Sequence, residues 1–316
     1  MVMPSDMKII AVGEQGIQTT NYIAEKILVN GMMLHTINEY AIHHGRIGGL
    51  ISRVKTLSVY NKYCGTNKEN RIENTVVDIM YGDEGMFKIT LDVTHSDLVF
   101  VVADDTEFAC NDIANYITSF IPRRTLVIFL VNSEKHYREF AIKIRPDFLN
   151  IVAKKTFIKQ KMPTLFSNVA LSIISSIIYS DNVPGLITLG IGDLKTVVEE
   201  SDEIFLGIGN STDKEHEDVI VATKAALKVL KKQIDMKDMK QTGNNPLAVV
   251  YVTVSRRNMS MLHIDEALNL VKEHLRSCTD PGYAVSVVED MAGVQVVIVV
   301  GVRPCSIRCD NQDRWG

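Results

Sequence analysis

The stretch that decides the fold runs from Met162 to Val198 and reads MPTLFSNVALSIISSIIYSDNVPGLITLGIGDLKTVV. Its first part predicts a helix that is apolar around almost its whole circumference, which is typical of a helix buried on most sides. Serines interrupt the apolar run, and Asp181 and Asn182 end it too early for a membrane span. We therefore expect a central helix, residues 162–182, that separates two packed domains.

The loop after this helix reads VPGLITLGIGDLKTVV, and the segment EESDEIFLGIG follows it. The two together resemble the tubulin/FtsZ superfamily, and FtsZ in particular. In that family a core helix ends in a PGL-containing loop, which carries catalytic acids to the nucleotide of the next subunit, and an MxGxG strand follows. The residues that match in register are Val183, Pro184, Gly185, Leu186, Asp193, Lys195, Thr196, Val197, Gly207 and Gly209. A run of this length at fixed spacing is far more specific than a lone glycine motif.

The composition is that of an ordinary soluble protein, with 46% hydrophobic residues. A chain of 316 residues is long enough for two domains with substantial cores. A net charge of -4 gives no polybasic footprint, so we expect no nucleic-acid partner. The five cysteines are scattered and no secretory signal precedes Met7, which predicts a cytoplasmic location. Cys305 and Cys309 lack a second pair or a nearby histidine, so we expect no metal site.

The chain opens with the apolar run Met7–Val12, a glycine-containing segment and a helical pattern, which together predict a nucleotide-binding α/β domain. We expect a glycine turn over residues 13–16. The sequence GEQGIQTTN resembles the first phosphate loop of tubulins, GQxGxQxGN. The matching residues, and so the implied nucleotide contacts, are Gly13, Gly16, Gln18 and Asn21. Glu14 departs from the family, because it puts a carboxylate where relatives have an uncharged side chain.

A second predicted strand, Asp97–Val102, leads in this superfamily to the glycine-rich phosphate loop GGGTGSG or GGGTGTG. Residues 103–111 read ADDTEFACN instead, so that Asp104, Asp105 and Thr106 occupy the place of the loop and no glycine is present. Glycines are needed there because a side chain would keep the backbone amides away from a phosphate. Two carboxylates about 4 Å apart also repel, by about 4 kcal/mol at an effective dielectric near 20 and by about 1 kcal/mol in open water. We expect that ordinary GTP binding is lost or weak, and that no cofactor is bound.

Two further positions that the resemblance implicates are ambiguous. Asn168 lies near the position where relatives carry an Asp or Asn that reads the guanine base, but it is equally well explained as a helix-surface residue. In the loop, Thr188 stands for the family's Asn and Gly190 for its first acid, which leaves Asp193 as a vestigial catalytic residue. Asp193 is equally well placed to cap a helix that starts at Leu194.

The resemblance implies an α/β fold of the tubulin/FtsZ type, with a Rossmann-like parallel-sheet N-terminal domain, a central core helix and an α+β C-terminal domain. The expected boundaries are 1–161 for the degenerate GTPase domain, 162–182 for the helix, 183–303 for the C-terminal domain and 304–316 for a polar tail. Alternating and apolar runs predict C-terminal strands at Ile204–Gly209, Leu247–Val254, Ala284–Asp290 and Val294–Val302, the last two as a hairpin about Ala292-Gly293. Helices are predicted over residues 213–232 and 263–278.

The leading hypothesis is an FtsZ-like cytoskeletal protein that is not an enzyme and forms homodimers or filaments as a scaffold, in cell division or membrane remodelling. The tail, with Trp315, is a candidate contact for a membrane or a membrane-tethering protein. A slow GTPase with nucleotide-dependent filaments and Mg²⁺ is the first alternative. The second is a subunit of a 2-oxoacid oxidoreductase complex, because GEQGIQTTNYIAEKIL and HGRIGGLISRVK also resemble the γ-type subunit of those enzymes.

Overall fold

The computed structural model describes residues 7–27, 32–44, 49–61, 80–81, 87–88, 97–103, 121–122, 124–131, 141–143, 162–182, 186–201, 203–211, 218–234, 246–256, 259–275, 280–288, 291 and 293–302. Its helices are α1 (Gly13–Ile27), α2 (Met162–Asn182), α3 (Ile191–Glu199), α4 (Asp218–Gln233) and α5 (Met261–Leu275). Its strands are β1 (Met7–Val12), β2 (Met32–His44), β3 (Gly49–Asn61), β4 (Met80–Tyr81), β5 (Phe87–Lys88), β6 (Leu98–Ala103), β7 (Leu126–Val131), β8 (Ala141–Lys143), β9 (Glu203–Ser211), β10 (Leu247–Val254), β11 (Gly282–Val287) and β12 (Val294–Val302).

The N-terminal sheet has the strand order β2-β3-β1-β6-β7-β8. Strands β1, β6, β7 and β8 are parallel, as predicted for a Rossmann-like core. The sheet is nevertheless mixed, because β3 runs antiparallel to both β1 and β2. The segment between His44 of β2 and Gly49 of β3 is too short for a crossover connection, so β3 must run antiparallel to β2.

The predicted glycine turn after β1 is wrong. Helix α1 begins at Gly13, immediately after β1, and continues through Gly16 to Ile27. Glu14 and Gln15 are good helix formers, and they lie between the only two glycines of this segment. The first turn of α1 therefore starts directly at the end of the strand.

The predicted central helix is confirmed as α2, which packs into one core shared by both sheets. Its serines from Ser172 onward are buried, and they form hydrogen bonds with β12 and with the loop before α3. The buried Gln295 on β12 donates from Nε2 to the Ser172 carbonyl at 3.0 Å and to Ser176 Oγ at 2.8 Å. Ser180 Oγ donates to the Leu189 carbonyl at 2.9 Å. None of the described helices has the length and apolar character that crossing a bilayer requires.

The C-terminal sheet has the order β11-β10-β12-β9, with α4 and α5 on one face and α2 and α3 on the other. The predicted hairpin between β11 and β12 is wrong, because β10 lies between them. Strands β10 and β12 are buried along almost their whole length, and such strands take the centre of a sheet. The free edge of β11 is partly covered by the loop between α2 and α3, where Val285 N–H donates to the Ile187 carbonyl at 2.9 Å.

Candidate nucleotide edge and the Asp193 loop

The candidate nucleotide site lies at the carboxyl edge of the parallel strands in the N-terminal sheet. The chain leaves β1 toward β2 and β3 on one side and returns to β6 on the other, so the strand order reverses between β1 and β6. Val12 and Ala103, the last residues of these two strands, are paired with each other. Ligands of open α/β sheets bind at such a switch point, and the start of α1 directs backbone N–H groups toward it.

The structure brings only part of the predicted site to this edge. Gly13 and Gly16 lie in the first turns of α1, where Gly16 is buried. Gln18 is exposed and Asn21 is half-buried farther along the same helix. The other predicted residues, Asp104, Asp105 and Thr106, come directly after β6 in the chain but lie outside the described residues. Their contribution to the site stays a prediction.

Asn168 lies between α1 and α2 rather than on an open surface. Tyr22 Oη donates a hydrogen bond of 2.8 Å to Asn168 Oδ1, and both groups are half-buried. One turn away, Thr19 Oγ1 and Ser167 Oγ are 2.9 Å apart. The oxygen that would accept hydrogen bonds from a guanine base is therefore already bonded to Tyr22.

Sequence reasoning missed Tyr22, although a signal was present. Thr19, Tyr22 and Lys26 recur at helical spacing along one side of α1, and the Lys26 Nζ lies 5.7 Å from the centre of the Tyr22 ring. A polar stripe at this spacing on a helix beside a predicted apolar helix indicates a polar seam between the two.

The Asp193 loop contains a helix start, but at a different residue from the one predicted. Helix α3 begins at Ile191 instead of Leu194, with Gly190 as the N-cap. Gly190 N–H donates to Asp193 Oδ2 at 3.2 Å, and Asp193 N–H donates to the Gly190 carbonyl at 3.1 Å. The prediction that Asp193 caps a helix starting at Leu194 is therefore wrong in position: Asp193 is the third helical residue, and its carboxylate accepts the N–H of the N-cap Gly190, with the favourable sign for a helix N-terminus.

Asp193 lies far from the candidate nucleotide edge of its own chain. Two residues on, Lys195 Nζ donates at 2.6 Å to the carbonyl of Arg124, which precedes β7 at the amino edge of the parallel strands. Strand β7 has six residues and so spans about 20 Å between the two edges. A site that combines Asp193 with the start of α1 therefore requires two copies of the chain.

A side chain can be accommodated at Gly190, the position that stands for the first acid of the loop in the family. Gly190 is exposed and has φ -74° and ψ 158°, a conformation open to any residue. A Cβ built on Gly190 would meet nothing closer than Asp193 Oδ2 at 3.9 Å. The absence of a second carboxylate is therefore not imposed by packing, and Asp193 alone presents one there.

Among the described residues, no three His, Cys, Asp or Glu side chains lie close enough together to bind a metal ion. Cys305 and Cys309 lie outside the described residues. The expectation that the chain binds no metal therefore stays a prediction.

Comparison with solved structures identifies the architecture. An FtsZ dimer of M. jannaschii, described as empty, matches 71% of this chain and 72% of its own at a TM-score of 0.50 and 14% identity. A tryptophan-to-tyrosine variant of FtsZ from the same organism matches 66% of each chain at a TM-score of 0.52 and 15% identity. The chain has the FtsZ-like fold.

The FtsZ-like fold confirms the resemblance that the loop after α2 predicts. CetZ from Methanosaeta thermophila also matches, with 14% identity, a TM-score of 0.46 and coverage of 66% of this chain and 63% of that one. No protein-family model and no curated protein matches the sequence. At these identities the likeness establishes the fold alone.

Proposed function

We propose that this chain is an FtsZ-like cytoskeletal protein that has lost GTP binding and hydrolysis and acts as a structural scaffold. The observation that carries the proposal is the sequence DDTEF at 104–108, which follows β6 at the strand-order reversal. A phosphate held beside α1 needs close backbone approach from this segment, and no glycine is present to allow it. The aspartates would repel the phosphate as well.

Two described contacts support the same conclusion. Asn168 Oδ1 already accepts a hydrogen bond from the Tyr22 hydroxyl, which gives this side chain a structural use between α1 and α2. The Asp193 carboxylate accepts the Gly190 N–H, so this last acid of the loop has a structural use. A Mg²⁺ ion could neutralise carboxylates at the edge, but it could not replace missing backbone amides.

Self-association is the second part of the proposal. One of the matched FtsZ structures is a dimer, and this chain is proposed to form homodimers or filaments without nucleotide control. The proposed setting is the cytoplasm, in cell division or membrane remodelling, with a membrane or a tethering protein reached through residues 304–316. In this proposal, residues 1–161 form the degenerate GTPase domain, residues 162–182 the central helix and residues 183–303 the C-terminal domain.

A slow GTPase with nucleotide-dependent filaments is the second candidate, and the exposed position of Asp193 favours it. In a head-to-tail pair, this carboxylate could polarise water at the α1 edge of the next copy. The oxidoreductase-subunit alternative is weaker, because its match is confined to residues 7–60 and leaves the FtsZ-like loop unexplained.

Substitution Asp193→Ala separates the scaffold from the slow GTPase. We expect GTP hydrolysis at the buffer background in both wild type and variant, with unchanged sedimentation of the assembled protein. Stability should fall by only about 0.5–1 kcal/mol, because one exposed N-terminal acceptor is lost. Asp193→Asn is the matched control, since it keeps an acceptor. Hydrolysis by wild type that disappears in both variants would establish the GTPase and refute the scaffold proposal.

A further inference from the structure

Helices α4 and α5 present opposite charges on the outer face of the C-terminal domain. They pack side by side on the same face of the sheet. The exposed charged residues of α4 are all lysines, here called the basic stripe: Lys224, Lys228, Lys231 and Lys232. The exposed carboxylates of α5, here called the acidic stripe, are Asp265, Glu266 and Glu273.

The two helices are parallel, and the linkers that lead into them are equally long. Strands β9 and β10 both run antiparallel to β12, and Val294 of β12 pairs with Ser211 of β9 and with Val254 of β10. Helix α4 starts seven residues after Ser211, and α5 starts seven residues after Val254. Linkers of equal length favour similar heights above the sheet edge for equal positions along the two helices.

The exposed side chains of the two helices match in height. At the N-terminal end both helices expose apolar residues, with Val221 42% exposed and Leu262 73% exposed. At a rise of 1.5 Å per residue, Lys224 lies about 9 Å along α4 and Glu266 about 8 Å along α5. By the same calculation, Lys231 lies about 20 Å along α4 and Glu273 about 18 Å along α5.

The stripes do not neutralise each other within one chain. Among the described residues, no lysine of the basic stripe has a carboxylate within 4.0 Å. The one exposed lysine of α5, Lys272, contacts Asp280 at 2.7 Å. Their hydrogen bond raises the pKa of Lys272 and lowers the pKa of Asp280.

We propose that the α4/α5 layer is a self-complementary dimer face whose occupant is a second copy of this chain. A two-fold axis parallel to the helices, between two layers that face each other, places α4 of each copy on α5 of the other. The basic stripe of one copy then meets the acidic stripe of its partner at matching heights. Val221 meets Leu262 at the apolar end. The inference rests on the proposed self-association and specifies its interface.

The dimensions of the layer predict a weak dimer. Helices of 16 and 15 residues are about 24 Å long and together about 20 Å wide, so the contact buries about 1,000 Å² over both copies. An interface at this lower limit depends on its charges and weakens with salt. An anionic membrane fits the layer less well, because the acidic stripe faces the same way as the basic one.

Charge reversal tests the interface by sedimentation velocity at low salt. The first variant combines Lys224→Glu, Lys228→Glu and Lys231→Glu, and the second combines Asp265→Lys, Glu266→Lys and Glu273→Lys. Each variant alone places like charges on like charges, so its dimer should dissociate at least about tenfold more readily than wild type. Mixed one to one, the variants should form a heterodimer, because every reversed stripe then meets its opposite. All substituted residues are exposed, and circular dichroism verifies folding.

The control reverses charges on the opposite face of the sheet. Glu199→Lys with Glu200→Lys, on and just after α3, should dimerise like wild type. Leu262→Asp should weaken the dimer in every mixture, which gives a second readout independent of the stripes. Association that neither variant alters, or variants that fail to pair when mixed, would overturn this interface and leave the scaffold proposal standing. A wild type that stays monomeric would overturn both, and lysine-dependent binding of that monomer to phosphatidylglycerol vesicles would assign the basic stripe to lipid.

Discussion

Gly209→Ala is expected to lower the free energy of unfolding by about 3 kcal/mol or more, which is a large effect for one methyl group. A Cβ on Gly209 would lie 1.9 Å from the Ala222 carbonyl oxygen and 2.6 Å from the Ala226 backbone nitrogen. Both are backbone atoms of α4, so relief requires the whole helix to move away from β9. That movement would open the core between α4 and the C-terminal sheet.

Gly192→Ala is the matched control, because a Cβ there would meet nothing within 4 Å. Gly192 lies in the first turn of α3, so alanine should leave stability unchanged or raise it by about 0.5–1 kcal/mol. Urea unfolding followed by circular dichroism measures both variants. If the Gly209→Ala variant unfolds at the same urea midpoint as wild type, α4 does not approach β9 as closely as the structure describes.

Gln295→Leu is expected to cost about 2–4 kcal/mol, because it leaves buried acceptors and a hydroxyl on α2 without their partner. Gln295 Nε2 donates to the Ser172 carbonyl and to Ser176 Oγ, and all three residues are buried. Leucine has nearly the same volume, so most of the loss is polar. The variant should unfold at a lower urea concentration with an unchanged slope.

The same substitution at Gln233 is the control, because Gln233 is only half-buried and donates to the Leu206 carbonyl at 2.6 Å. Its loss should be about 1 kcal/mol. Adding Ser176→Ala to Gln295→Leu should cost less than the sum of the two single changes, since both partners are then apolar. Strict additivity would argue against a bond between α2 and β12.

Strong local patterns made much of the fold predictable. Helix α2 matches residues 162–182, and β10 and β12 match their predicted bounds, because each is a long apolar run with turn residues at its ends. The loop after α2 was sufficient to indicate the FtsZ-like fold, although the matched FtsZ structures are only 14% and 15% identical.

Pairing partners were not predictable, because they depend on residues far away in sequence. Nothing in Gly282–Val287 or Val294–Val302 shows that β10 will lie between them. The antiparallel position of β3 beside β1 likewise depends on which edge of β1 is free after α1 has packed. Sequence proximity favours a hairpin, but burial of β10 and β12 on both faces decides the order.

The candidate site was predictable in position but not in its internal contacts. Gly13 and Gly16 do follow β1 at the switch point, as the apolar run Met7–Val12 predicts, although they lie in a helix and not in the predicted turn. The Tyr22–Asn168 bond could not be foreseen, because it joins residues on two helices whose relative rotation the sequence does not specify. Asp104, Asp105 and Thr106 lie outside the described residues, so their role stays a prediction.

Calorimetric titration of the purified chain with GTP, and with GDP, in the presence of Mg²⁺ tests the central claim most directly. The same sample should show a cooperative urea transition, which establishes that it is folded. The loss of glycines after β6 predicts no heat of binding up to high micromolar nucleotide. Micromolar binding of either nucleotide would contradict the claim and would make the slow GTPase the leading function.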